Sequence, residues 1–152
     1  MKNKFKLFGL AVLLTAIVFS FAACKNDSDP TPTPLTDPAL NGTWKSGVII
    51  LQFNNGTYEE KGSDGSNKIK GTFTTSGSSI TMTLTHLWGA ALPSSLTAKW
   101  YSKADLKAPD VLTSLSMTAE QVDVYFANNS GTYTYVISGN TLTLNDFTYT
   151  KQ

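Results

Sequence analysis

From residue 41 onward, the sequence alternates between short β-prone segments and clusters of turn-forming residues. Thr, Tyr, Phe, Ile and Val fill the segments, and these residues suit a pleated, half-buried surface. Gly, Asn, Asp and Ser form the clusters, which favour tight turns at residues 54–56, 63–66, 76–79, 128–131 and 139–140. Residues 44–53 are predicted to form the first strand, and residues 141–151 the last, interrupted only by a bulge. Because the turns recur at short intervals, an all-β domain is predicted.

Residues 80–85 show the strand pattern most clearly, because apolar side chains alternate strictly with Thr. Such alternation predicts one buried face and one solvent-facing side. Residues 122–127 are also predicted to be a strand, and Pro109 and Asp110 favour the start of a short helix within residues 104–121. The hairpins follow one another without a long crossover. This order favours an up-and-down antiparallel β-barrel of about eight strands that accommodates one short helix, with a β-sandwich as the alternative.

The first 24 residues have a different character. Three lysines precede an apolar run over residues 7–21, and two alanines and then Cys24 follow it. This order is typical of a secretory signal. The run is shorter than the roughly 20 apolar residues of a membrane-spanning helix.

Residues 21–24, Phe-Ala-Ala-Cys, resemble the lipobox of bacterial lipoproteins, in which Leu usually stands where Phe21 does. The resemblance implies that residues 1–23 are a signal peptide cut before Cys24, whose thiol takes a diacylglycerol and whose new amine is usually acylated. Two or three acyl chains anchor a protein firmly. The alternative is an ordinary cleaved signal with a chance cysteine. The lipoprotein is favoured because the chain's only cysteine stands where the lipobox requires it.

Residues 24–40 are predicted to be a lipidated Cys and a Pro-rich tether. Four of the six prolines fall here, and proline excludes a regular helix, so the segment would act as a semi-rigid spacer. The β domain would then cover residues 41–152. The expected location is the cell envelope, with acyl chains in a bacterial membrane, the outer membrane being favoured, and the domain facing the periplasm or the exterior.

Gly42 and Trp44, with one residue between them, look like the Gly-x-Trp signature of lipocalins at the first strand. Residues 137–144 and 149–151 resemble the C-terminal hairpin of small bacterial lipocalin-like lipoproteins. The resemblance covers both ends of the domain. It implies an eight-stranded barrel whose mouth holds an apolar ligand. It also implies that Lys151 packs across Trp44, where the family usually has Arg.

The residues give little support for an enzyme, a metal protein or a nucleic-acid binder. Every basic side chain is Lys, and nine of the twelve remain after removal of the signal. With eleven acidic residues, the mature chain has a formal charge of −2. Such a chain lacks the basic stripe of a nucleic-acid binder. His86 has no nucleophile motif near it. Glu59 and Glu60, adjacent on a strand, would point to opposite faces. No catalytic, metal or cofactor site is therefore expected.

Residues 87–93 are unusually apolar for a loop. Three interpretations remain open: a lid on a barrel mouth, a patch for a partner or membrane, or a loop folded onto the core. A lid would place Trp88, Leu92 and Trp100 around a small apolar ligand. The leading hypothesis is thus a tethered binding module. The alternative is a structural or protein-interaction lipoprotein of the cell envelope, with a filled barrel and no ligand.

Overall fold

Short antiparallel strands joined by tight turns make up most of the domain. The structure, a computed structural model, describes residues 35–92 and 96–152. The predicted signal peptide, Cys24 and most of the predicted tether lie outside these residues. Within them, the strands are β1 (Gly42–Ser46), β2 (Ile49–Asn54), β3 (Thr57–Gly62), β4 (Asn67–Ser76), β5 (Ser79–Trp88), β6 (Trp100–Ser102), β7 (Gly131–Ser138), β8 (Thr141–Leu144) and β9 (Phe147–Lys151).

Eight of these strands close into a barrel. Their order is β4-β3-β2-β1-β9-β8-β7-β5, and pairing between β4 and β5 completes the ring. Strand β6 stands outside the ring, since it pairs with the second half of β5, whereas β7 pairs with the first half. Neighbouring strands are antiparallel and nearly consecutive in the chain. This confirms the all-β, up-and-down barrel of about eight strands predicted from the sequence.

The two ends of the barrel differ. At the entry end, where residues 35–40 pack, the chain turns between β2 and β3, β4 and β5, and β7 and β8. A backbone hydrogen bond from Thr75 to the Leu35 carbonyl (2.8 Å) fixes the segment there, and the Tyr135 hydroxyl donates to Asp37 Oδ2 at 2.9 Å. Leu40 is fully buried. The packed domain therefore starts upstream of Asn41, the boundary predicted from the sequence.

Side chains fill the barrel interior at the entry end. Trp44 is fully buried, and its indole N–H donates to the Leu40 carbonyl at 2.7 Å. Phe53 and Phe73 meet edge to face with ring centroids 5.1 Å apart. The buried members of this first core are Leu40, Trp44, Leu51, Phe53, Tyr58, Phe73, Ile80, Met82, Tyr135, Leu142 and Tyr149. Four members of this core, Leu51, Tyr58, Met82 and Tyr149, also line a cavity of about 180 Å³.

Short helices occupy the connection between β6 and β7 and define the other, helix end of the barrel. In the described residues they are α1 (Lys103–Leu106), α2 (Pro109–Leu115) and α3 (Ala119–Asn128). Capping boxes start two of them, Ser102 with Asp105 at α1 and Thr118 with Gln121 at α3. Their apolar side chains pack on the second half of β5 in a second core of Leu84, Leu87, Tyr101, Leu106, Val122 and Phe126. No helix of the described residues is long and apolar enough to cross a membrane.

Three sequence predictions about local structure were wrong. Residues 122–127 lie in α3, not in a strand, because Val122 and Phe126 bury one helix face at i, i+4 spacing. The predicted first strand is broken by a turn at Gly47, which adopts a φ of +53° that favours glycine. The C-terminal stretch makes a full turn at Asn145 rather than a bulge, which separates β8 from β9.

Candidate functional site

Space remains inside the barrel at the helix end. Adjoining cavities of about 340, 210 and 180 Å³ lie there among the described residues. The 340 and 210 Å³ cavities share Leu87, Leu92 and Tyr125 in their walls. The 340 and 180 Å³ cavities share Glu60, Ile69 and Asn129. Because the walls are shared, we treat the three cavities as one helix-end chamber.

One branch of the chamber, the 210 Å³ cavity, is apolar. It lies between the helices and the end of β5, and its walls carry no charged side chain among the described residues. The lining residues are Leu87, Leu92, Leu106, Leu115, Met117, Val122, Tyr125 and Phe126. Transfer of a hydrocarbon chain or an aromatic ring from water into such a space is favourable, because apolar contacts replace contacts with water.

The opposite branch, the 180 Å³ cavity, brings polar groups into the barrel. Its walls combine apolar side chains with Tyr58, Glu60, Asn128, Asn129, Tyr133 and Tyr149. Glu60 faces inward because it stands opposite the buried Leu51 in the pairing of β2 with β3. Glu59 stands opposite the exposed Gln52 and forms an ion pair with Lys61 at 3.2 Å. The two glutamates therefore point to opposite faces, as predicted.

The electrostatics of the polar branch centre on the Glu60 carboxylate. Burial raises the pKa of Glu60 above its ordinary value, and the nearby charge of Lys68 opposes that rise. Burial also raises the pKa values of Tyr125 and Tyr149, with a smaller contribution from the Glu60 charge. The pKa of Tyr58 rises for the same main reason. The Glu60 charge thus acts on the hydroxyl groups of Tyr58, Tyr125 and Tyr149.

Within residues 35–92 and 96–152, the Glu60 carboxylate has neither a hydrogen-bond donor nor an ion-pair partner in the protein. The hydroxyl groups of Tyr58, Tyr133 and Tyr149 likewise make no hydrogen bond to the described residues. Among the described residues, Ser66 Oγ is the one fully enclosed side-chain polar atom without a partner, so the oxygens of Glu60 and of these tyrosines are open to solvent. The inner wall of the chamber therefore offers an acceptor and several hydroxyl groups to whatever enters it.

The structure places the residues predicted to bind a ligand at different distances from this chamber. Trp88 and Leu92 line the 340 Å³ cavity. Trp100 lies beside Trp88, edge to face at 5.1 Å, and carries Lys70 Nζ 4.8 Å from its ring centroid. It is not among the residues that line the three cavities. Trp100 thus contacts Trp88 without lining the chamber.

The described part of the apolar segment, residues 87–92, contains the end of a strand and a 3-10 turn. Leu87 and Trp88 are the last residues of β5, and Gly89–Ala91 form a 3-10 turn. Leu87 is buried in the second core, while Leu92 is partly buried beside it. Leu87 and Leu92 both pack in or against the second core and line the chamber, and Trp88 lines the 340 Å³ cavity.

Gly42, Trp44 and Lys151 lie at the entry end, away from the chamber. Lys151 Nζ sits 5.0 Å from the Trp44 ring centroid, a cation–π distance. Gly42 adopts a φ of +128°, and a Cβ there would stand 3.1 Å from Lys151 Cε. A side chain at position 42 would thus strain the backbone and crowd the lysine that covers Trp44.

Sequence reasoning missed the residues of the chamber's inner wall. The β-prone residues around Tyr125 predict a strand, whereas the Thr118–Gln121 capping box indicates the helix that the structure shows. Glu60 was considered only as half of an adjacent carboxylate pair. His86 lies at β5 with its Nδ1 2.9 Å from Thr85 Oγ1, and it does not line the chamber. Among the described residues, no group of three or more His, Cys, Asp or Glu side chains is placed to hold a metal ion.

Comparison of the chain with protein-family models, with curated proteins and with solved structures gives no significant match in any of the three.

Proposed function

We propose that this chain is a membrane-tethered, lipocalin-like lipoprotein that binds a small, largely apolar ligand in the helix-end chamber. The observation that carries the proposal is the contrast between the two halves of the barrel. The entry end carries a hollow of about 570 Å³ that is lined mainly by Thr and Asn side chains, whereas the helix end keeps adjoining cavities, one of about 340 Å³, whose walls include apolar side chains. Ligand pockets typically measure about 300–1,000 Å³ and have mostly apolar walls with a few polar groups. The 340 Å³ cavity falls within this range and carries Glu60, Lys61 and Lys68 in its wall, while the adjoining 210 Å³ cavity supplies the apolar walls.

The alternative is a protein-interaction lipoprotein, and exposed apolar side chains favour it. Val48 and Val124 are 73% and 56% exposed, and Phe147 on β9 is 67% exposed. Val48 also belongs to the wall of the 340 Å³ cavity. These exposed apolar side chains would suit either the approach of a ligand or contact with an envelope protein. Saturable binding of a small molecule separates the two functions.

Ligand binding is tested on a chain that starts at residue 25, because both cores and every barrel strand lie within residues 35–152. A neutral apolar dye should bind at one saturable site and quench Trp fluorescence. The double change Trp88→Ser with Leu92→Ser should abolish this binding, which is measured well below the lowered melting temperature expected from the loss of the Trp88–Trp100 contact and of Leu92 beside the second core. Val136→Ser, an exposed position outside the chamber walls, serves as the control and should bind normally. A parent that binds no dye would favour the interaction protein.

Lipid attachment needs a separate test, since Cys24 lies outside the described residues. In bacterial cells, labelled palmitate should appear in the parent protein and vanish in Cys24→Ala. The expected result follows from the resemblance to the lipobox, which provides one acceptor thiol. Equal labelling of both proteins would refute the anchor and leave the ligand chamber unaffected.

A further inference from the structure

We infer that the helix-end chamber selects amphipathic amines, with the Glu60 carboxylate receiving the ammonium head and the apolar branch receiving the tail. The inference rests on the proposed ligand-binding function and adds the chemical class of the ligand to it.

The position of Glu60 between the branches carries the first step. Glu60 lines both the 180 and the 340 Å³ cavities, and the 340 Å³ cavity shares Leu87, Leu92 and Tyr125 with the walls of the apolar branch. A ligand whose head contacts Glu60 would extend its tail past these three residues toward the helices. Apolar area buried there contributes roughly 25 cal/mol per Å². The chamber thus separates a charged end from a hydrocarbon end.

The chemistry around Glu60 carries the second step. Its carboxylate lacks a hydrogen-bond or ion-pair partner among the described residues, and it can accept several N–H donors. A primary ammonium group offers three such donors in charge-assisted hydrogen bonds. The hydroxyl oxygens of Tyr58 and Tyr149 in the same wall can accept further N–H donors. A carboxylate head would be repelled by the Glu60 charge, and an alcohol head would offer one donor in place of three.

Lys68 is the cation that competes for Glu60. It has no partner residue on β3, because the strand register shifts between Glu60 and Lys61, and it lines the 340 Å³ cavity. Its charge acts on Glu60, yet the two groups form no ion pair within 4.0 Å. Lys61 is already paired with Glu59 on the outer face. No lysine of the described residues is thus paired with Glu60, and Lys68 would weaken the binding of a ligand ammonium from a distance.

The experiment compares three probes with the same ten-carbon tail: decylamine, decanol and decanoate. Each is titrated by calorimetry at pH 7.5, below its aggregation concentration, into the chain from residue 25. Decylamine should bind the parent at least about tenfold more tightly than decanol, since a charge-assisted hydrogen bond contributes that much or more. Glu60→Gln keeps the shape of the side chain and should remove this preference without weakening decanol. Glu59→Gln, on the outer face, should leave all three affinities unchanged.

A second variant keeps the inference testable if Glu60→Gln folds poorly. Lys68→Met removes the competing charge and should tighten decylamine binding by about threefold or more while weakening decanoate. Decylamine and decanol binding equally to the parent would overturn amine selection and leave apolar binding intact. Tightest binding of decanoate, lost in Lys68→Met, would replace the amine with an anionic ligand. Failure of all three probes, together with the neutral dye, would overturn both proposals.

Discussion

Replacing Trp44 by Ala should destabilise the domain more than any change at its surface. The side chain is fully buried, and a buried Trp replaced by Ala typically costs about 3–5 kcal/mol. The loss should lie near the upper end of that range, because the Leu40 carbonyl also loses the indole N–H that it accepts at 2.7 Å. Small domains have only about 5–15 kcal/mol of unfolding free energy in total. The variant should therefore unfold at a much lower urea concentration.

Urea unfolding followed by far-ultraviolet circular dichroism measures this loss without relying on Trp fluorescence. Trp44→Phe keeps an aromatic ring but removes the donor, so its loss should be smaller, about 1–3 kcal/mol. Phe147→Ala, at a side chain 67% exposed, should stay within about 0.5 kcal/mol of the parent. A loss below about 1 kcal/mol in Trp44→Ala, or one equal to that of Phe147→Ala, would refute the description of a packed entry end.

The other predictions concern single side chains. Gly71→Ala should lower the unfolding free energy by about 1–3 kcal/mol or more, because its Cβ would lie 2.1 Å from a β5 carbonyl oxygen; Gly131→Ala, whose nearest neighbour would be 3.4 Å away, should melt like the parent. Glu60→Gln should be more stable than the parent at pH 8 but not at pH 3.5. Because burial raises the pKa of Glu60, the folded parent keeps the Glu60 proton to a higher pH than the unfolded chain does. The parent therefore loses stability as pH rises from about 4.5 through the folded pKa. A stability difference between the two proteins that does not change with pH would contradict this. Tyr135→Phe should cost about 1 kcal/mol in urea unfolding, since Asp37 loses a 2.9 Å hydrogen bond; unchanged stability would show that this bond contributes nothing.

The barrel could be predicted because its signal is local. In residues 80–85, each apolar side chain that faces the interior is followed by a Thr that faces outward, so the period of two is visible in the sequence. The helix α3 was missed for the opposite reason. Residues 122–127 contain β-prone types, and only the four-residue spacing of Val122 and Phe126 together with the cap at Thr118 indicates a helix.

The chamber could be predicted only in part. Alternation places Glu59 and Glu60 on opposite faces, but which of them faces inward depends on the pairing of Glu60 with Leu51 across β2 and β3. The position of Trp100 depends similarly on the pairing of β6 with β5, which sets it beside Trp88. Such contacts between distant parts of the chain leave no periodic signal. The sequence alone indicates Trp88, because the apolar run of residues 87–93 is visible whatever structure it adopts.

The entry of the chain at Leu35 has a consequence for how the domain would stand on a membrane. Leu35 is held at the end of the barrel opposite the chamber. With acyl chains on Cys24, only residues 25–34 would separate the bilayer from that end, a reach of roughly 30 Å even when fully extended. The anchor would favour an orientation in which the base of the barrel faces the lipid and the chamber faces the water. A ligand would then be captured from the aqueous side or handed over by another protein, rather than drawn sideways out of the bilayer.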